Sequence, residues 1–121
     1  MKKTREEKTR FREKFAEFLD LCQKLVDEHM RNYSWENKLS VTKGRRYDKI
    51  ICEDVHKEPH RNNSKRVWAF VDKTNGDILK PNGWKAPAKH ARGNIFDDNP
   101  MLFVSYHGPA YMDQIKEYYG A

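Results

Sequence analysis

The chain has 121 residues, 37% of them hydrophobic and 35% charged, with a net charge of +6. That length bounds it to one domain, residues 1–121, with a modest core. An aromatic content of 12% argues against disorder, while no apolar run approaches the roughly 18 residues a membrane span needs.

Thr4-Arg5-Glu6-Glu7 has the form of a capping box, Thr4 as N-cap and Glu7 three residues on. Beyond it Phe11, Phe15, Phe18, Cys22, Leu25 and His29 recur at three- and four-residue steps, and Leu19, Val26, Met30 and Tyr33 widen that stripe. That period predicts one amphipathic helix from about Thr4 to Met30. Its first two turns, within residues 1–10, are almost wholly polar and are expected to fray or project. The charged start also lacks the apolar core of a signal peptide.

Leu39 and Val41 alternate with polar neighbours as a half-buried strand, and Tyr47–Cys52 reads as a second one. Glu53 to Lys65 reads as a polar loop. In Val67–Val71 both faces are apolar: Val67, Ala69 and Val71 to one side, Trp68 and Phe70 to the other. This predicts a central strand. Asn75-Gly76 supplies a turn with positive φ, and Ile78–Lys80 returns antiparallel. Pro87 and Gly93 are placed to open and close a short basic helix. Met101–Tyr106 reads as a strand or a helical turn, and Pro109–Tyr119 as a last helix. The fold class is α+β: a long N-terminal helix packed on a three- or four-stranded antiparallel sheet, with short C-terminal helices.

The strings WAFVDKTNGDILKP, GWKAPAKHARGNIFD and YHGPAYM, within Tyr47 to Met112, carry a resemblance. They are similar to a family of small uncharacterised proteins of tailed phages, marine ones among them. The resemblance implies a viral protein, acting in the cytoplasm of the infected host cell. The two cysteines, Cys22 and Cys52, fit that compartment as free thiols, because a small secreted domain usually carries more of them.

The charge is unevenly placed: residues 1–31 carry +2, residues 32–92 carry +7 and residues 93–121 carry −3. A positive middle suits a polyanion such as DNA or RNA. The candidate nucleic-acid-binding residues are Arg45, Arg46, Lys65, Arg66, Lys80, Trp84, Lys85, Lys89 and Arg92. Trp84 lies between Lys80 and Lys85, so it is the stacking candidate, with plugging the end of the core as its ordinary alternative. The order helix, strands, helix also resembles a double-stranded-RNA-binding domain. Lys85 and Lys89 stand in for its basic helix, although Pro87 and an extra strand depart from it.

No metal site is expected: Cys52, His56 and His60 lack paired zinc-ligand spacings, with or without His90 or His107. No cofactor motif and no nucleophile motif is present. Glu36-x-Lys38 is a nuclease-like fragment without a partner carboxylate, and the adjacent pairs Asp97-Asp98 and Glu53-Asp54 would face opposite ways in a strand. The reading is a non-enzymatic accessory protein that binds nucleic acid non-specifically. The alternative is a homo-oligomeric or protein-partner-binding module using the tyrosines at 106, 111, 118 and 119 and the wide stripe of the first helix.

Overall fold

The structure, a computed structural model, describes residues 3–58 and 63–120. In chain order the elements are α1 (Arg5–Met30), β1 (Trp35–Lys43), β2 (Tyr47–His56), β3 (Lys65–Asp72) and β4 (Asp77–Leu79). They are followed by β5 (Gly93–Asn94), β6 (Val104–Ser105), β7 (Gly108–Pro109) and α2 (Met112–Tyr118). The architecture is α+β. β1 to β5 form one antiparallel sheet in sequence order, and β6 and β7 form a separate two-stranded ladder.

The capping box closes α1 as its sequence dictates. The Thr4 hydroxyl accepts from the Glu7 N–H at 3.1 Å, and the Glu7 carboxylate accepts from the Thr4 N–H at 3.5 Å. The buried stripe of α1 is Phe11, Phe15, Phe18, Cys22, Val26 and Met30. It meets the sheet face formed by Ile50, Cys52, Ala69, Val71 and Ile78, with Ile95 closing one end. Each fully buried Phe or Ile contributes about 1.5–3 kcal/mol, so this contact dominates the energetics of the fold. Both cysteines lie within it as free thiols. Burial pushes each thiol pKa up, that of Cys22 very far.

The opposite, outer face is also apolar at its centre. Phe70 and Leu79 are partners there, Lys49 faces Phe70 across the β2–β3 ladder, and Ile51 lies one pleat further along. Tyr47 presents its ring edge to Phe70 at 6.0 Å. β3 is therefore the central, two-sided strand its composition predicts, buried from Trp68 to Asp72.

Its side-chain assignment differs from simple alternation. The β2–β3 register slips between Ile50 and Ile51, which pair with Ala69 and Val67 and leave Trp68 without a partner. A bulge of this kind turns one side chain to the other face. Trp68 thus joins the helix-side core beside Ala69 and Val71, its indole N–H donating to the Tyr106 carbonyl at 3.0 Å. Tyr106 in turn stacks on His29 of α1, ring centroids 3.3 Å apart.

Three further expectations are corrected. β1 and β2 are longer than predicted, because their polar ends still exchange ladder hydrogen bonds from Trp35–His56 to Lys43–Asp48. The segment Glu53 to His56, expected in a loop, is strand; of the remaining loop, residues 59–62 lie outside the described residues. No helix forms between Pro87 and Gly93. The Ala88 N–H donates to the Lys80 carbonyl at 2.7 Å and the Arg92 N–H to the Ile78 carbonyl at 2.7 Å, so the segment is held against β4 and the residue after it, and the Arg92 N–H is taken from the Ala88 carbonyl that a helix would give it. With that helix goes the likeness to a double-stranded-RNA-binding domain. The predicted turn does form: Gly76 has φ +86°, and a Cβ there would lie 2.8 Å from the Phe96 ring.

β1 is an edge strand, and α1 covers its open ladder with one side chain. The Gln23 amide donates to the Asn37 carbonyl at 2.9 Å and accepts from the Leu39 N–H at 2.9 Å. It thereby copies the pattern a sixth strand would make and blunts the edge against pairing with another chain. Replacing Gln23 with Ala is expected to lower stability by about 1–2 kcal/mol in urea unfolding. Amide exchange at Leu39 should accelerate more than at Ile50; equal protection at Leu39 in both proteins would contradict the capping role.

Candidate functional site

The nine candidate residues fall in three places. Arg45 and Arg46 occupy the β1–β2 turn. Lys65 and Arg66 open β3 at the opposite end of the sheet. Seven residues at about 3.3 Å each put Lys65 roughly 23 Å from the Asp72 end of that strand. The other five, Lys80, Trp84, Lys85, Lys89 and Arg92, lie on the irregular segment between β4 and β5. Lys65 and Arg66 are thus not brought together with the rest, and Arg66 pairs with Asp54 at 3.6 Å.

The segment from Lys80 to Arg92 crosses the outer face as a closed loop. A bridge between Pro81 and Pro87 pinches its base, and the Asn82 N–H donates to the Ala86 carbonyl at 2.9 Å. Gly83, at φ +90°, makes the turn, and Trp84 follows at the tip, 51% exposed. The Lys49 ammonium lies 5.2 Å from the Trp84 ring centroid and 5.7 Å from that of Phe70. Cation–π attraction of this kind holds both the ring and the charge in place. Arg46 and Lys89 share a shallow cleft with Tyr47, Pro87 and His90, and the carboxylates Asp72 and Asp77 line it too. Lys85 and Lys89 are exposed.

Two of the nine are spent inside the molecule. Arg92 is only 6% exposed. Its guanidinium donates to the Ala110 carbonyl at 2.9 Å, to the Lys89 carbonyl at 2.7 Å and to the carbonyl of His90. It therefore ties the start of β5 to the segment leading into α2. Lys80 donates to the Pro109 carbonyl at 3.0 Å and lies 4.1 Å from the Tyr111 ring centroid. Burial, helped by the nearby Arg92 charge, holds its pKa below the ordinary lysine value.

A second basic grouping lies where the sequence gives no strong signal. Lys3 just before α1 and Lys8 and Arg12 in its first turns meet Lys43 at the end of β1 and Lys73 just after β3, around a cleft of about 300 Å³. Phe11 and Asp48 complete its lining. The nearly neutral charge of residues 1–31 hides these three α1-side cations. Only the i, i+4 spacing of Lys8 and Arg12, beside Phe11 of the stripe, could have placed two of them together.

Among the described residues no group of three or more His, Cys, Asp and Glu is arranged to hold a metal ion. His60 lies outside those residues.

The sequence profile of a family of unknown function (DUF7717) matches residues 1–107, and the chain belongs to that family. No curated protein matches it, and no solved structure does.

Arg46 is anchored by Asp72, which is 3% exposed. Burial by itself would raise the Asp72 pKa. The Thr74 hydroxyl and N–H, at 2.6 and 2.8 Å, and the Arg46 guanidinium at 3.2 Å outweigh it and hold the carboxyl below its ordinary range. A depressed folded-state pKa gives stability that is present above the unfolded value, about 3.9, and lost as pH falls through the folded one. Asp72→Asn is expected to cost about 1–3 kcal/mol at pH 7. It should also flatten the fall in stability between pH 5 and pH 2 measured by urea unfolding. An unchanged acid limb would contradict this assignment.

Proposed function

With membership of that family as the premise, we propose that this chain is a small accessory protein that binds nucleic acid non-specifically through its outer sheet face. It works as a binding protein, with no chemical step of its own. The resemblance to small phage proteins supplies the proposed setting, the cytoplasm of an infected cell. The observation that carries the reading is Trp84: a half-exposed indole, on a closed loop, with an ammonium group beside it. Trp is usually buried further than this. An exposed indole plane is what a nucleic-acid base stacks on, at about 1–3 kcal/mol per base.

Phosphate contacts then fall to the flanking cations. Lys85 and Lys89 lie on the same loop as Trp84, and Arg46 borders the cleft it shares with Lys89. Among the described residues, Arg45, Lys85 and Lys89 make no ion pair with a carboxylate. Their charge is therefore free to displace counterions from a polyanion. Lys65 and Arg66 belong to this reading only if the strand runs the length of the sheet. Arg92 and Lys80 serve it by bracing the loop's return.

A second reading rests on a different surface. Phe103 meets Tyr118 and Tyr119 at ring-centroid distances of 5.2 and 5.8 Å, and those two tyrosines are 62% and 70% exposed. Such an aromatic edge suits a protein partner or a second copy. Light scattering over a concentration series tests self-association, and a monomer throughout counts against it.

The nucleic-acid reading is checked by fluorescence anisotropy with labelled single-stranded DNA and RNA across a salt series. The logarithm of affinity should fall linearly with that of salt, by about 0.7 per phosphate neutralised. Trp84→Ala should weaken binding about tenfold at fixed salt, within the range for one stacked base. No binding at low salt, or binding that stays flat as salt rises, would overturn the proposal.

A further inference from the structure

The cleft between the start of α1 and the strand ends stands apart from the outer face, and its charge asks for a ligand. We infer that it binds a compact anion bearing clustered phosphate groups. Of its lining residues five are cationic, Lys3, Lys8, Arg12, Lys43 and Lys73, and one is anionic, Asp48. The first four have no carboxylate within 4.0 Å among the described residues. α1 does pair other cations along its length: Lys14 with Glu17, Lys24 with Asp20, Arg31 with Glu28. Unpaired like charges gathered on one cleft repel one another, and a bound anion relieves that repulsion.

The cleft is built rather than incidental. Phe11, 8% exposed, stacks on Phe15 at 5.8 Å and meets Phe96 at 6.5 Å. That packing fixes the early turns of α1, and with them Lys8 and Arg12, against the sheet. Lys43 lies at the β1 end, opposite Asp48 in the ladder. Lys73 donates to the Gly44 carbonyl at 2.6 Å, and its ammonium lies 3.2 Å from the buried Asp48 Oδ1. No donor is aligned for a hydrogen bond on that oxygen. Asp48 therefore acts as an ionic post that keeps Lys73 turned into the cleft floor.

The ligand chemistry follows from charge density and shape. A singly charged carboxylate would leave most of the surplus positive charge uncompensated. A volume of about 300 Å³ accommodates two or three linked phosphate groups, and the lining is a pocket rather than a stripe along a backbone. Arg supplies a planar pair of donors to phosphate oxygens, while the lysines act as point charges. The phosphates could belong to a free compound or to the end of a nucleic-acid strand, and the recognition is the same.

Calorimetric titration of the full chain with inorganic pyrophosphate at low ionic strength tests this. The expected result is saturable binding at one site. Arg12→Gln with Lys43→Gln should weaken it at least tenfold, and Lys85→Gln with Lys89→Gln, which removes equal charge elsewhere, should leave it within twofold. Lys43→Gln alone serves as the second variant if the double one is unstable, with an expected loss of at least threefold. Trp84→Ala should have no effect, which separates this site from the outer face. Tighter binding of a 5′-phosphorylated than a 5′-hydroxyl oligonucleotide would assign the phosphate to a strand end. Equal binding of the two, with pyrophosphate still bound, would assign it to a free compound. No saturable pyrophosphate binding, or equal weakening by both double variants, would overturn the inference.

Discussion

Everything in this molecule depends on one contact, the laying of the α1 stripe along the inner face of the sheet. Three phenylalanines, Cys22 and Val26 cover Ile50, Cys52, Ala69 and Val71, and among the described residues no other helix shares the task. α2 has seven residues and buries only Ile115. A chain of this size has a modest core, so the helix and sheet stabilise one another rather than standing as separate units. Because the contact is long, it also fixes the angle and register of α1. Register then decides which polar groups meet at its ends: Gln23 over the open edge of β1, and Lys8 and Arg12 over the tip of the sheet.

The outer face shows how a small sheet covers its second side without a second helix. A loop pinched between two prolines crosses Phe70 and Leu79, and buried Arg92 ties its return to the chain entering α2. Arg92 can do this because one guanidinium satisfies several carbonyls that no secondary structure reaches. The consequence is that the loop tip, with Trp84, is held in shape while remaining open. A rigid, exposed aromatic next to a cation is a different object from a Trp on a flexible loop, since less entropy is lost when a ring already in place is stacked upon.

The large features were legible in the sequence because they rest on periodicity and local chemistry. The capping box at Thr4 and Glu7, the stripe from Phe11 to Met30, the turn at Gly76 and the two-sided β3 all follow from spacing alone. The errors have a common cause, competition from distant partners. A Pro87–Gly93 helix is reasonable locally, yet its donors find the carbonyls of Ile78 and Lys80. Trp68 is assigned by alternation to the outer face, and a bulge that no local signal announces moves it inward. Arg92 reads as surface charge because nothing in its neighbours reveals that a carbonyl 18 residues away, with those of Lys89 and His90, will surround it. Net charge by segment misleads in the same way: the residues before Arg31 are nearly neutral in sum, but the fold brings Lys3, Lys8 and Arg12 to one cleft with Lys43 and Lys73.

The shared core is the claim on which both proposed surfaces depend, since each is assembled from elements that only the helix-to-sheet contact holds in place. It is tested most directly by urea unfolding followed in parallel by circular dichroism at 222 nm, which reports α1, and by tryptophan emission, to which buried Trp68 contributes. One core predicts a single transition with the same midpoint and slope by both probes. Loss of helical signal at a clearly different urea concentration from the change in emission would contradict the account.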